Sequence, residues 1–178
     1  MSTSTVAPLS LEEFLANPDI HYYDFHELHD GEIVEVSPPT NDHVNIQKRL
    51  EKLFQSLVSA EYTVWREFYY TLPNESRRAD VAVVLESRRQ EHLDTVFFGS
   101  PEILIEVLSN SNSAKTLTHL RRACLIDKTE QFWIIDPFQK MIEVYHRNGT
   151  WKEYRQDSTI RFELAGEDLH MDVASIFP

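Results

Sequence analysis

Apolar positions recur along the chain with two periods, and each change of period marks an element. Ser10-Leu11-Glu12-Glu13 has the form of a capping box, with the Ser10 hydroxyl and the Glu13 carboxylate satisfying early helix amides. It predicts a short helix ending near Asn17-Pro18. After the turn signal His29-Asp30-Gly31, the residues to Val36 alternate, which predicts a strand with Glu32, Val34 and Val36 on one face. Ser37-Pro38-Pro39-Thr40-Asn41-Asp42 breaks that strand and supplies a helix cap. His43, Ile46, Leu50, Leu53 and Leu57 then recur at helical spacing and predict the first long helix.

Tyr62 to Leu72 is aromatic and β-branched, Pro73-Asn74-Glu75-Ser76 is a turn, and Asp80-Val81-Ala82-Val83-Val84-Leu85 is a buried strand led by a carboxylate. The two segments predict a hairpin. Glu86 to Thr95 is a polar excursion, after which Ile103 to Leu108 is apolar on both faces except at Glu106. Ser109 to Ser113 offers several N-caps to a helix with Leu117, Leu120 and Cys124 on one stripe and Lys115, His119 and Arg122 on the opposite one. Phe132 to Ile135 and Met141 to Tyr145 are strands around Asp136-Pro137, and Asn148-Gly149 signals a further hairpin into Trp151 to Tyr154. Glu163 to Phe177 reads as a loosely structured closing segment. The order is that of an α/β (α+β) protein with a mixed sheet flanked by helices. A flexible tail over residues 1–8 and one domain over 9–178 are expected.

Composition narrows the function classes. One cysteine excludes an internal disulfide framework and a multi-thiolate zinc site. No run approaches the ~20 apolar residues of a membrane span, and the first residues lack the basic and apolar regions of a leader. The chain therefore reads as soluble and cytoplasmic, with no membrane partner. The net charge of −12 opposes bulk coating of nucleic acid, but it is unevenly spread. Residues 1–63 carry 3 basic and 11 acidic groups, whereas residues 64–128 carry 9 of each. The central arginines Arg77, Arg78 and Arg122 are thus candidate nucleic-acid contacts, and the basic groups from Arg66 to Lys128 are expected to converge into a patch.

Asp80 and Glu106 stand out, because a carboxylate in a buried strand costs several kcal/mol unless a partner or a metal compensates it. Two carboxylates on neighbouring rigid strands suit a hard cation, Mg²⁺ or Mn²⁺. Such an ion polarises a phosphodiester and activates a bound water. The plainer alternative is that Asp80 caps a strand end while Glu106 pairs with Arg66 or Arg78.

The blocks HELHDGEIVEVSPPTNDH, RRADVAVV, PEILIEVLSNSNS and QFWIIDP, in this order and spacing, resemble the Uma2 family. That family is abundant in cyanobacteria, was long catalogued as a domain of unknown function, and is assigned to the PD-(D/E)XK nuclease fold. The resemblance runs from about Leu9 to Phe177. It implies a restriction-endonuclease-like mixed central sheet flanked by helices, with Asp80 and Glu106 as metal ligands. Arg78 matches the arginine of the family's R-P-D-V block, and Ala79 stands where proline is usual. In the family the catalytic lysine lies on the following helix, in D-x-x-x-K-x-x-x-Y. Here Lys115, His119 and Ala123 fall on those three positions, so all three differ. His119 would serve as a catalytic donor when protonated, and Lys115, one turn earlier, would reach the same space. The competing reading is an ordinary solvated helix face and a lost catalytic cation.

Other residues carry weaker signals. His43 matches a histidine common in the family, but shares the stripe of Ile46 and Leu50 and reads as a hydrogen-bonded core residue. Glu32 is expected to point inward, and Glu27 either joins the site or positions a turn. Cys124, Trp65, Trp133 and Trp151 read as packing residues. No P-loop, dinucleotide fingerprint or nucleophile elbow is present, so no small-molecule cofactor is expected. The resulting expectation is a metal-dependent DNA endonuclease, with a homodimer supplying two sites for two strands. The alternative is a catalytically impaired nuclease-fold protein that serves as a nucleic-acid-binding or protein-interaction module.

Overall fold

The computed structural model describes residues 8–17, 26–109 and 113–177. All of the expected tail except Pro8 lies outside them, as do Pro18 and the caps Asn110 to Asn112. Helix α1 (Leu11–Ala16) carries the capping box in full: Ser10 accepts the Glu13 N–H, and Glu13 Oε2 accepts the Ser10 N–H at 2.9 Å. Strands β1 (His26–His29) and β2 (Glu32–Glu35) form a hairpin through Asp30 and Gly31, both at positive φ. Gly31 is needed there twice over, since a Cβ would also meet Pro8 Cβ at 2.5 Å. Strand β1 goes beyond the alternation read from Gly31 to Val36. On β2, Glu32 is exposed rather than turned inward, because this two-residue-turn hairpin lies at the edge of the sheet.

Helix α2 (Asn41–Leu57) is capped by Thr40 and buries Ile46, Leu50 and Phe54. Strands β3 (Tyr62–Leu72) and β4 (Glu75–Leu85) form the long central hairpin. The turn is confined to Pro73 and Asn74, so Glu75 and Ser76 lie in β4 rather than in a loop. The polar excursion opens with a short helix, α3 (Glu86–Gln90). Strand β5 (Ile103–Val107) pairs antiparallel with β4 and parallel with β6 (Gln131–Asp136), the crossover being helix α4 (Ala114–Asp127). Strands β7 (Met141–His146) and β8 (Trp151–Arg155) finish the sheet as a meander. The order is β2-β1-β4-β5-β6-β7-β8, with β3 along the other edge of β4.

The closing segment is ordered, contrary to the expectation from its polar residues. Strands β9 (Thr159–Leu164) and β10 (Glu167–Asp172) form a separate hairpin through Ala165-Gly166. Ile160, Phe162 and Leu164 alternate inward, and Val173, Ile176 and Phe177 follow them into the core.

Two cores lie on opposite faces of the sheet. One joins α2 and the β9-β10 hairpin to Val81, Val83, Ile103, Ile105, Val107 and Trp133. Its centre is aromatic: Phe162 meets the Trp133 ring edge-on at 5.1 Å, and Phe54 does so at 5.3 Å. The other core joins Leu120 and Cys124 of α4 to Tyr70, Ala82, Val84, Leu104 and Phe132. This accounts for β5 being apolar on both faces. The architecture is therefore the expected mixed sheet flanked by helices. Among the described residues no helix is long and apolar enough to cross a membrane.

Candidate functional site

One edge of β4 changes partner along its length. It pairs with β1 at Ser76 and with β5 at Val81 to Val83, which leaves Arg77 to Asp80 between the two neighbours. Side chains fill that opening. Glu27 Oε1 of β1 accepts the Arg78 N–H at 3.2 Å, and Asp80 Oδ2 accepts the Val107 N–H of β5 at 2.6 Å.

The register of β4 with β5 sets Asp80 across from Glu106. On the other side, Arg66↔Val81 and Phe68↔Ala79 flank Glu67 and set it across from Asp80. Three carboxylates therefore stand in a row on β3, β4 and β5. Regular pairing is lost at this row: Glu67 has φ 52° in mid-strand, and Ala79 and Ala82, three residues apart, both face the α4 core. Strict alternation would put them on opposite faces.

Helix α2 reaches the row from above. His43 Nε2 lies 2.7 Å from Asp80 Oδ1, and Gln47 Nε2 donates to the same oxygen at 2.8 Å and to Glu67 Oε1 at 2.5 Å. The other Glu67 oxygen meets Arg78 Nε at 2.9 Å. Burial pulls the His43 pKa down, but the hydrogen bond and charge of Asp80, with the charge of Glu67, outweigh it and hold the imidazole above its ordinary value.

Glu106 is the carboxylate without such support. No hydrogen bond to it occurs among the described residues, and its pKa is pushed well up, first by burial and then by the charges of Asp80 and Glu27. Arg77 is the cation that opposes this shift. The donor set suits a hard cation: an anchored carboxylate with one lone pair free, level in the sheet with another whose negative charge lacks compensation. Among the described residues no three or more His, Cys, Asp or Glu side chains are grouped to hold a metal by themselves. A cation here would take two protein carboxylates and complete its shell with water and substrate.

The plainer reading of the two carboxylates is not what the structure contains. Arg66 pairs with Glu51 at 2.7 Å and Arg78 with Glu67, so neither is the partner of Glu106.

Among the described residues the basic groups do not converge into the expected patch, because most of the central arginines are taken up by acidic partners. Arg77 is buried, donating to Glu75 at 2.5 Å and lying 2.7 Å from His29 Nε2, and so cannot be a surface contact for phosphate. Arg88 and Arg89 pair with Glu102 and Glu86 at the opposite end of β5 from Glu106. Arg121 lies 3.8 Å over the Tyr145 ring. Arg78 is mostly enclosed, and Arg122 is exposed on α4.

On α4, Lys115 is exposed and His119 is 53% exposed, with Nε2 at 3.1 Å from Glu75 Oε1. His119 is thereby tied to a chain of buried Glu75 and Arg77 and half-buried Glu27 and His29. Glu27 joins this chain through His29, whose Nε2 lies 2.6 Å from Glu27 Oε2. Cys124 is buried with its thiol pushed up to about 12, chiefly by burial, and it packs 3.6 Å from the Tyr70 hydroxyl. Trp133 is core, whereas Trp65 and Trp151 are substantially exposed.

Sequence reasoning missed Gln47, Glu67 and Glu75. Gln47 follows His43 by one helical turn and was discoverable from that spacing. Glu67 depends on a local break in strand geometry, and Glu75 was hidden by its place beside a turn.

A family model described as "Putative restriction endonuclease", Uma2, matches residues 11–174. Among solved structures, the chain is similar to a protein from Anabaena variabilis described as a "putative nuclease belonging to DUF820". The two share 25% identity at a TM-score of 0.83, over 96% of this chain and 98% of that one. No curated protein matches the chain.

Proposed function

Since the chain belongs to the Uma2 family, we propose that it is a nuclease that hydrolyses DNA phosphodiester bonds with Mg²⁺ or Mn²⁺ held by Asp80 and Glu106. The observation that carries this reading is the state of Glu106: a carboxylate set beside Asp80 on rigid strands, short of both hydrogen bonds and countercharge. When bound, the cation would supply polarisation of the phosphodiester and a water more easily deprotonated. The chain's own residues do the positioning. His43, Gln47 and the Val107 N–H fix the Asp80 carboxylate, and Arg77 offsets part of the negative charge around Glu106.

The cation that would face developing charge on phosphate is the weak point of the machinery. The resemblance puts His119 where the family carries its lysine, and the His119 Nε2 is directed at Glu75. Lys115 is the exposed alternative on the same helix. These facts, with most of the central arginines paired internally, support a second reading in which the fold is retained as a binding module with little cleavage.

Incubation of supercoiled plasmid with the purified chain separates the two. The nuclease reading expects nicking that requires Mg²⁺ or Mn²⁺, stops with chelator and is lost in Asp80→Asn. Absence of nicking with every divalent metal, alongside retained DNA binding, would establish the second.

A further inference from the structure

We infer that Gln47 and Glu67 form a clasp that positions Asp80 for the cation, an assignment that rests on the nuclease reading. Gln47 is 1% exposed, one turn after His43 and between Ile46 and Leu50 of the core. A buried amide is retained at such a place when its hydrogen bonds are made, and both donors of this one go to carboxylates. They reach Glu67 on β3 and Asp80 on β4, which stand across from each other where the pairing of the two strands is interrupted and its register is kept.

Each part of the arrangement costs stability taken alone. Two carboxylates drawn together repel, and a non-glycine residue at φ 52° in mid-strand is strained. Gln47 offsets the repulsion by bridging the two anions, and Arg78 takes the outer oxygen of Glu67. The product is an Asp80 carboxylate that cannot rotate: Oδ1 is fixed by Gln47 and His43, and Oδ2 by the Val107 N–H. A carboxylate held in this way presents its one remaining lone pair, on Oδ2, in a fixed direction without reorganising when an ion arrives. Glu67 acts through Gln47 and is a positioning residue, not a ligand.

The test combines Mn²⁺ titration calorimetry with thermal melts of the metal-free proteins, for the native chain, Gln47→Leu, Glu67→Gly and Asp80→Asn. Glycine adopts positive φ without strain, so Glu67→Gly removes the carboxylate while keeping a backbone that the strand geometry accepts. The expected result is a loss of about tenfold or more in Mn²⁺ affinity for Gln47→Leu and Glu67→Gly, the usual scale for residues that orient a metal ligand. Both should melt within about 4 °C of the native chain, and Asp80→Asn should take up no Mn²⁺.

If Gln47→Leu proves too unstable to titrate, Glu67→Gly alone decides. Native affinity in Glu67→Gly, with or without a lowered melting temperature, would overturn the clasp and leave a structural ion pair in its place. A native chain that binds no Mn²⁺ would overturn the cation reading itself, and the clasp with it.

Discussion

His119 Nε2 lies 3.1 Å from Glu75 Oε1, and the second oxygen of Glu75 accepts from Arg77 Nε at 2.5 Å. The exposed end of this relay is an imidazole on α4, and its buried end is a guanidinium that also faces Glu27 and His29. His119 is therefore wired to the structural ion pairs of the β1-β4 junction. Its effect on a substrate has to be separated from its effect on that junction.

Arg77 is the residue on which the junction depends. Removing one partner of a buried pair leaves an uncompensated charge, which costs roughly 3–5 kcal/mol. Arg77→Met should lower the unfolding free energy by about that amount, read from urea denaturation. The double variant with Glu75→Gln should recover a large part of it, since no buried charge is then orphaned at Glu75. Equal losses in the single and double variants would show that the pair contributes packing only.

His119 is half exposed, so its contact with Glu75 is worth little to stability. His119→Ala should cost below about 1 kcal/mol. His119→Lys supplies an ammonium that stays charged at neutral pH, and under the nuclease reading it should raise the metal-dependent nicking rate. A side-by-side plasmid assay checks this. If the native rate is robust and His119→Ala leaves it unchanged, His119 has no part in cleavage and Lys115 becomes the residue to vary.

The sheet, its flanking helices and the adjacency of Asp80 and Glu106 were legible because period and punctuation are local. Ser10 and Glu13, Asn148-Gly149, and the doubly apolar β5 carry their structure in a few consecutive residues. The β9-β10 hairpin was not read, although Ile160, Phe162 and Leu164 alternate, because every intervening residue is polar or charged and the segment looks solvated. The arginines misled for a different reason. A run such as Arg77-Arg78 reads as a surface patch until tertiary structure places Glu75, Glu27 and Glu67 against it. Glu67 escaped notice because its role depends on a backbone angle that no pattern of residue types encodes.

The ion pair of His43 with Asp80 gives stability a definite pH dependence. A base whose folded pKa is raised contributes stability that is present in full below its ordinary value of 6.5 and is lost as pH rises through the folded value. His43→Ala should therefore destabilise the metal-free protein more at about pH 6 than at about pH 9. Melting curves of both proteins across that range give the difference directly. A difference independent of pH would mean that the imidazole is held as a neutral hydrogen-bonding group.

Glu106 has the opposite economy. Its folded pKa lies well above the ordinary 4.5, so the folded state holds its proton more tightly than the unfolded chain does. Stability is then greatest below the ordinary glutamate range, and falls as pH climbs from there through the raised folded value. Glu106→Gln, which removes the ionisation and keeps the shape, should raise the melting temperature of the metal-free protein at neutral pH by a few degrees, about 1 kcal/mol. That gain should vanish at acid pH, where the native carboxyl is protonated in both states. A cation reverses the balance, because it favours the carboxylate. Mn²⁺ should stabilise the native chain and not Glu106→Gln, and at pH values below the raised folded pKa its binding should release a proton from Glu106. Calorimetry in two buffers of different ionisation enthalpy measures that proton. Mn²⁺ binding with no buffer dependence over that range, or equal stabilisation of the variant, would remove Glu106 from the metal site and leave Asp80 to hold the ion with other groups.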